Sequence, residues 1–271
     1  MARLFTFGCS FTSYMWPTWA NIIAFDQQLE LKNFAIAGMG NVGIMQRVLE
    51  ADLKYKFTSE DKIMIMWTSW SREDKIIRNR YQCNGSIFSH NNYRWLRQNW
   101  SMENDIVKNI SAIHIVNNMY GNYIQWQGHS SRPYTSGNDI ETTHREDIKS
   151  LCNEHAIELV SKLYRQALPD IEYRILDQDK LAFDCYEDTH PDVVQHMEIV
   201  KTWIYPALGL ELREETHSEY KSLQQNIRNI FTKTQITNSK KAQLIIGEIL
   251  INQFPQLMEY HRCEELLDNI A

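Results

Sequence analysis

"RLFTFGCSFT", Arg3–Thr12, decides how this chain is read. Arg3–Phe7 is a short β-favouring run, and a glycine followed by small and hydroxyl residues turns the chain sharply at its end. A strand that empties into such a turn can hold a hydroxyl, here Ser10, at the carboxyl edge of a parallel sheet, where open α/β folds place their ligands. A serine hydroxyl is protonated at neutral pH and needs a base within hydrogen-bond reach before it can attack. Far downstream, "EDTHPD", Glu187–Asp192, offers His190 with carboxylates beside it. The following Pro191 biases the histidine backbone towards an extended form ahead of the next helix. Serine, histidine and acid are the parts of an activated hydroxyl nucleophile.

Working outward, strands and helices alternate. Pro17 opens a helix that runs to about Gln28 and buries Trp19, Ile22, Ile23 and Phe25. Leu31–Ile36 reads as a second strand, and Gly38–Gly43 leads into a helix with Ile44, Val48 and Leu49 on one face. Ile63–Trp67, "IMIMW", is a continuous apolar run of the kind buried on both faces of a parallel sheet. Trp70–Trp100 has no steady period and reads as an extended loop or insertion. A helical period returns over Ile106–Tyr120. Tyr123–Trp126 is a fourth strand, Arg132–Thr143 a loop, Asp147–Ala167 a helix and Glu172–Leu176 a fifth strand; Val193–Leu208 is again helical. This order predicts a three-layer α/β/α unit over residues 1–208, built on a five-stranded, mostly parallel sheet. Residues 209–271 read as a helical C-terminal extension, with helices over Tyr220–Ile230, Ala242–Phe254 and Met258–Ile270. It is suited to packing on the main unit or to self-association.

Composition narrows the function classes. A net charge of −6 and a pI near 5.9 supply no global basic field for nucleic acid or an anionic membrane. The five cysteines (Cys9, Cys83, Cys152, Cys185, Cys263) are odd in number, scattered and without a CxxC pair. That points to a reducing compartment, and a cytoplasmic protein is expected. No basic flank followed by a long apolar region marks a signal peptide, and no apolar run approaches the roughly 20 residues of a membrane span. No HExxH, EF-hand or Cys/His cluster calls for a metal.

"FGCSFT" and the late Asp/His loop resemble the first and last signature blocks of the SGNH (GDSL-like) hydrolase family. "NFAIAGMGN", Asn33–Asn41, is similar to the second. The resemblance implies a flavodoxin-like α/β/α fold, ester hydrolysis without a cofactor, Ser10 as nucleophile and His190 as base. The carboxylate partner stays open. Family spacing puts an Asp three before the histidine, where this chain has Glu187; Asp188, two before it, is the preferred choice, with Glu187 next and Asp184 third. The resemblance also implies that Gly38 lends its N–H to an oxyanion hole beside that of Ser10, a place where glycine lets the backbone approach closely. The family's third block, Gly-x-Asn-Asp, is replaced by "WTSWSRED", Trp67–Asp74. Thr68, Ser69 and Asn41 are the side chains left to supply its donor. Cys9 reads as a small buried filler and His196 as structural, and Arg72, Glu73 and Asp74 read as a salt-bridged rim or a substrate clamp.

Three further readings accompany this one. Trp67, Trp70, Trp95, Trp100 and Trp126 could form a stacking platform for a sugar ester, or simply core. Gly38-x-Gly40-x-x-Gly43 matches the dinucleotide fingerprint, although the acid that should follow the next strand is missing. A hydrolase-like fold serving as a binding or assembly module is the alternative to an enzyme, prompted by the unmatched third block.

Overall fold

The computed structural model describes residues 2–70, 72–77, 80–86, 102–120, 124–127, 172–173, 188, 190–234, 236, 238–258 and 260. Strand β1 (Arg3–Phe7) lies between β2 (Glu30–Asn33) and β3 (Lys62–Trp67), parallel to both. Strand β6 (Ile124–Gln127) continues the sheet beyond β3, and the two-residue β7 (Glu172–Tyr173) pairs with β6, again in parallel. The resulting order, β2-β1-β3-β6-β7, reverses direction at β1, and a sheet of this kind opens its crevice beyond the carboxyl ends of the strands at that switch.

Alternation along the strands divides the interior in two. Phe5, Phe7, Ile63, Ile65 and Trp67 point to one face, where they meet α2 (Asn41–Tyr55) and α3 (Met102–Met119). Leu4, Met64 and Met66 point to the other and pack against α1 (Trp19–Asp26). That second core extends into the chain beyond His190: α4 (Val193–Ile199), a π-helical turn (Val200–Ile204), α5 (Tyr205–Leu208), α6 (Glu214–Thr234), α7 (Ser239–Gln253) and the short α8 (Pro255–Met258). Tyr220, Leu223, Ile227 and Phe231 of α6 and Ile246, Ile249 and Leu250 of α7 belong to the same apolar cluster as Trp16, Trp19 and Ile22.

A buried carboxylate fastens this extension. Asp26, at the end of α1, accepts hydrogen bonds from the Tyr205 hydroxyl (2.6 Å), the Thr216 hydroxyl (2.7 Å), Gln27 Nε2 (2.8 Å) and the Arg213 N–H (3.1 Å). Burial alone would raise its carboxyl, but these donors outweigh burial and hold it below its ordinary value.

Two expectations are corrected. Arg72–Ile77 and Arg80–Ser86 form an antiparallel pair, β4 and β5, where a loop was expected, and Trp70 is fully buried ahead of it. Pro17 stands outside α1, because Thr18 is the N-cap and its N–H donates to Asn21 Oδ1 at 2.7 Å. The expected Asp147–Ala167 helix and most of the expected Met258–Ile270 helix lie outside the described residues. Among the described residues no helix is long and apolar enough to cross a membrane.

Candidate active site

The turn that carries Ser10 is set by Gly8 and by two bonds to one carbonyl. The N–H groups of Thr12 and Ser13 both donate to Cys9 O, at 2.9 and 3.1 Å. A Cβ on Gly8 would lie 2.1 Å from Thr12 Oγ1, so no larger residue fits there. Thr12 O is held in turn by the Thr18 hydroxyl (2.7 Å) and Asn33 Nδ2 (2.9 Å). The turn is thereby tied to β2 and to the start of α1. Cys9 is fully buried, as the sequence suggested, and Ser10 is 6% exposed.

On the other side of the site, Asp192 caps α4. It accepts from Gln195 N at 2.7 Å, while Gln195 Oε1 accepts from Asp192 N at 2.7 Å, a reciprocal capping box. His190 sits just before this cap, with Pro191 between them. The two segments meet: His190 Nε2 is 2.9 Å from Ser10 Oγ, and His190 Nδ1 is 2.7 Å from Asp188 Oδ1. Asp188 Oδ1 also accepts from the backbone N–H of His190 at 2.8 Å. The Asp188 side chain is 9% exposed, whereas the His190 side chain is 29% exposed, leaving part of the imidazole open to solvent. Burial would raise the Asp188 carboxyl, but hydrogen bonds from His190 and Tyr14 and the charge of the imidazole together hold it below its ordinary value. A carboxylate kept ionised on Nδ1 favours the tautomer with its proton there, which leaves Nε2 to accept from Ser10. Glu187 and Asp184 lie outside the described residues.

The remaining expected site residues follow the neighbouring strands. Gly38, at φ 80°, lies in the turn after β2, close behind Ile36, whose N–H donates to Gly8 O at 3.4 Å. Thr68 and Ser69 follow β3 and are buried. Ser10, Gly38, Thr68 and Ser69 therefore all leave the carboxyl edge of three adjacent parallel strands.

Asn41 departs from the expected donor role. Its Nδ2 donates to Thr68 O (3.0 Å) and Asn109 Oδ1 (2.8 Å), and its Oδ1 accepts from Thr68 N (2.8 Å). Both amide hydrogens are taken, and Asn41 serves to pin the chain where it leaves β3. Asn109 extends the pin by donating to Trp70 O at 3.1 Å.

Asp74 also departs from its reading as rim or clamp. Its carboxylate sits on the N-terminus of α2 and accepts from Gly40 N (2.8 Å to Oδ1) and Gly43 N (2.9 Å to Oδ2). A Cβ on Gly40 or Gly43 would fall 2.8 or 2.7 Å from Asp74 Oδ2. The glycines of the dinucleotide-like fingerprint thus admit an internal carboxylate to the N–H groups that would otherwise face a phosphate.

Of the tryptophans considered for a sugar platform, Trp67 and Trp70 are fully buried in the core. Trp95 and Trp100 lie outside the described residues. His196 is fully buried, and burial lowers its imidazole to about 3, so it is neutral in the fold.

Four residues at the site went unread in the sequence: Phe11, Tyr14, Trp16 and Gln224. The Tyr14 hydroxyl donates to Asp188 Oδ2, and its ring lies parallel to that of His190 at 4.0 Å. Phe11 meets the same imidazole at 5.4 Å and 79°. Trp16 Nε1 donates to Pro191 O at 2.8 Å, and Gln224 Nε2 donates to Asp192 Oδ2 at 2.8 Å. The aromatic density of "FTSYMW", directly behind the Ser10 turn, was the available signal for the first three.

No family model matches the chain, and no curated protein matches it. Among solved structures, the chain is similar to Axe2, an acetylxylan esterase from Geobacillus stearothermophilus, at 14% sequence identity. The match covers 79% of this chain and 97% of that one, with a TM-score of 0.36, a value that transfers neither fold nor activity.

Proposed function

We propose that the protein is a serine hydrolase of SGNH type acting on a carboxylic ester. The observation that carries this is the line from Ser10 Oγ through His190 to Asp188, 2.9 Å on one side of the imidazole and 2.7 Å on the other. Ser10 Oγ attacks the acyl carbon as its proton passes to His190 Nε2, and Asp188 stabilises the imidazolium that forms. The N–H groups of Ser10 and Gly38 receive the charge that develops on the carbonyl oxygen. The tetrahedral adduct collapses, the alcohol leaves with the proton from Nε2, and an acyl-Ser10 remains. Water, deprotonated by the same Nε2, releases the acid and restores the serine. No cofactor enters these steps. An O-acetyl group on a carbohydrate is the narrower form of the proposal, and the cysteine pattern supports a cytoplasmic setting.

The test is hydrolysis of p-nitrophenyl acetate by the purified protein beside Ser10→Ala, His190→Ala and Asp188→Asn. Loss of about 1,000-fold or more in the first two, with circular dichroism unchanged, is the expected result. Equal rates in all four proteins would sink the assignment. Acetate release from a peracetylated monosaccharide then tests the narrower form.

A second reading, a binding or assembly module on the same fold, is favoured by Asn41, whose amide is fully engaged and leaves the third-block donor unreplaced from that position. A fluorophosphonate probe separates the two, since covalent labelling at Ser10 requires a working nucleophile.

A further inference from the structure

We infer that Tyr14 is a positioning residue of this centre: its hydroxyl fixes the rotation of the Asp188 carboxylate while its ring backs the His190 imidazole. The inference rests on the ester-hydrolase reading above and adds to it a residue that neither the motif nor its spacing contains.

The Asp188 carboxylate has two oxygens with separate tasks. Oδ1 accepts from His190 Nδ1 and from His190 N, and Oδ2 accepts from the Tyr14 hydroxyl. A carboxylate held at both ends cannot swing about its Cβ–Cγ bond, so Oδ1 stays aimed at Nδ1. The ring of Tyr14 covers one face of the imidazole at a centroid distance of 4.0 Å and an interplanar angle of 15°. When Nε2 takes a proton from Ser10, the resulting cation rests against a π face, which stabilises it.

The position of Tyr14 in the chain gives this contact its leverage. Tyr14 lies four residues beyond Ser10, and its ring is braced edge-on by Trp16 at 4.6 Å and 73°. Trp16 Nε1 in turn donates to Pro191 O at 2.8 Å. One short segment therefore grips the histidine loop on both sides of His190, at 188 through Tyr14 and at 191 through Trp16. The reach from nucleophile to base is set by six residues of local chain, although the two partners are 180 residues apart in sequence. The ionised state of Asp188 agrees with this arrangement, because the Tyr14 bond is one of those that hold its carboxyl down against burial. Among the described residues, the groups that face the imidazole are Asp188, Ser10, Tyr14 and Phe11, and a charge on the imidazole in turn disfavours protonation of the buried His196.

Tyr14→Phe keeps the ring and deletes the hydroxyl, whereas Tyr14→Leu deletes both. The experiment compares kcat and KM for p-nitrophenyl acetate, the rate of Ser10 labelling by a fluorophosphonate, and the NMR titration of the His190 ring in the three proteins. Expected is a fall in kcat of about tenfold for Tyr14→Phe and about 100-fold for Tyr14→Leu, with labelling falling in parallel and KM within about twofold. The His190 titration midpoint should lie lower in Tyr14→Leu than in Tyr14→Phe, because only the first variant removes the π face and loss of the hydroxyl is common to both. Labelling of Tyr14→Leu within about threefold of wild type, or the same His190 midpoint in the two variants, overturns the inference. Wild type inert to both ester and probe would instead remove the hydrolase reading, and the comparison of midpoints would still decide whether Tyr14 governs the His190–Asp188 pair.

Discussion

Gln224 of α6 closes the start of the helix that follows His190: its Nε2 donates to Asp192 Oδ2 at 2.8 Å, and its Oε1 accepts from Val193 N at 3.3 Å. A side chain in the C-terminal extension thus completes the cap two residues beyond the proposed base. Gln224→Leu should cost about 1–3 kcal/mol, the desolvation of a buried acceptor and donor left without partners, and should lower ester turnover as well. Burial already raises the Asp192 carboxyl, so Gln224→Glu, which sets a second carboxylate beside it, should be impaired more at pH 8 than at pH 5. Urea unfolding alongside turnover at the two pH values measures both effects; unchanged values in both variants would detach α6 from the site.

Asp26 is the corresponding fastening at the far end of α1. Asp26→Ala strands Tyr205, Thr216 and Arg213 around an emptied position, and a loss of about 3–5 kcal/mol is expected at pH 7. The folded carboxyl titrates below its ordinary value of 3.8, so its contribution is present above that value and is lost as pH falls through the lower folded one. The stability gap between wild type and variant should therefore narrow below pH 4. A constant gap from pH 7 to pH 3 would contradict this.

His196 gives a separate acid dependence. Burial holds its imidazole at about 3, while the unfolded chain takes up a proton near 6.5. Stability from this group is present above pH 6.5 and is lost between 6.5 and about 3, at up to about 1.4 kcal/mol per pH unit. His196→Leu should flatten the fall in unfolding free energy between pH 7.5 and pH 5 by about 2 kcal/mol. Identical slopes in the two proteins would mean that His196 is not neutral in the fold.

Asp74 and Gly43 form a testable pair. Gly43→Ala drives a methyl against the carboxylate, and Asp74→Ala removes the acceptor of two helix N–H groups, so each alone should destabilise, by about 1–3 kcal/mol. In the double variant the clash is absent, and the loss should fall short of the sum by at least about 0.5 kcal/mol. Strict additivity by thermal or urea unfolding would refute the contact.

The parts legible in the sequence were those with a period or a motif. "RLFTF" marked β1 as a β-favouring run ending on a glycine turn, and "IMIMW" marked β3 because a strand buried on both faces needs unbroken apolar residues. Ser10 and His190 could be paired from the sequence because few side-chain pairs can activate a hydroxyl, and the structure sets them 2.9 Å apart. Residues that work through shape rather than pattern stayed hidden. Tyr14 lies in a stretch of assorted aromatics with no spacing rule. Asp74 looked like surface charge because nothing local says that a side chain of β4 reaches the N-terminus of α2. The β4–β5 pair was missed because Arg72–Ile77 lacks the apolar alternation that marks a half-buried strand. Asn41 was misread for the opposite reason: it stood in a recognised block, while its partners Thr68 and Asn109 lie 27 and 68 residues away.

The placing of Gln224 and Asp26 also has a consequence for how the protein comes into being. A chain emerges from its N-terminus, and Ser10 is made 180 residues before His190. When His190 appears, its neighbouring helix still lacks the amide that closes its cap, and Asp26 still lacks three donors, which arrive with Tyr205, Arg213 and Thr216. The nascent protein therefore carries Ser10, the proposed nucleophile, without its completed partner loop, and that arrangement is finished only after α6 has docked.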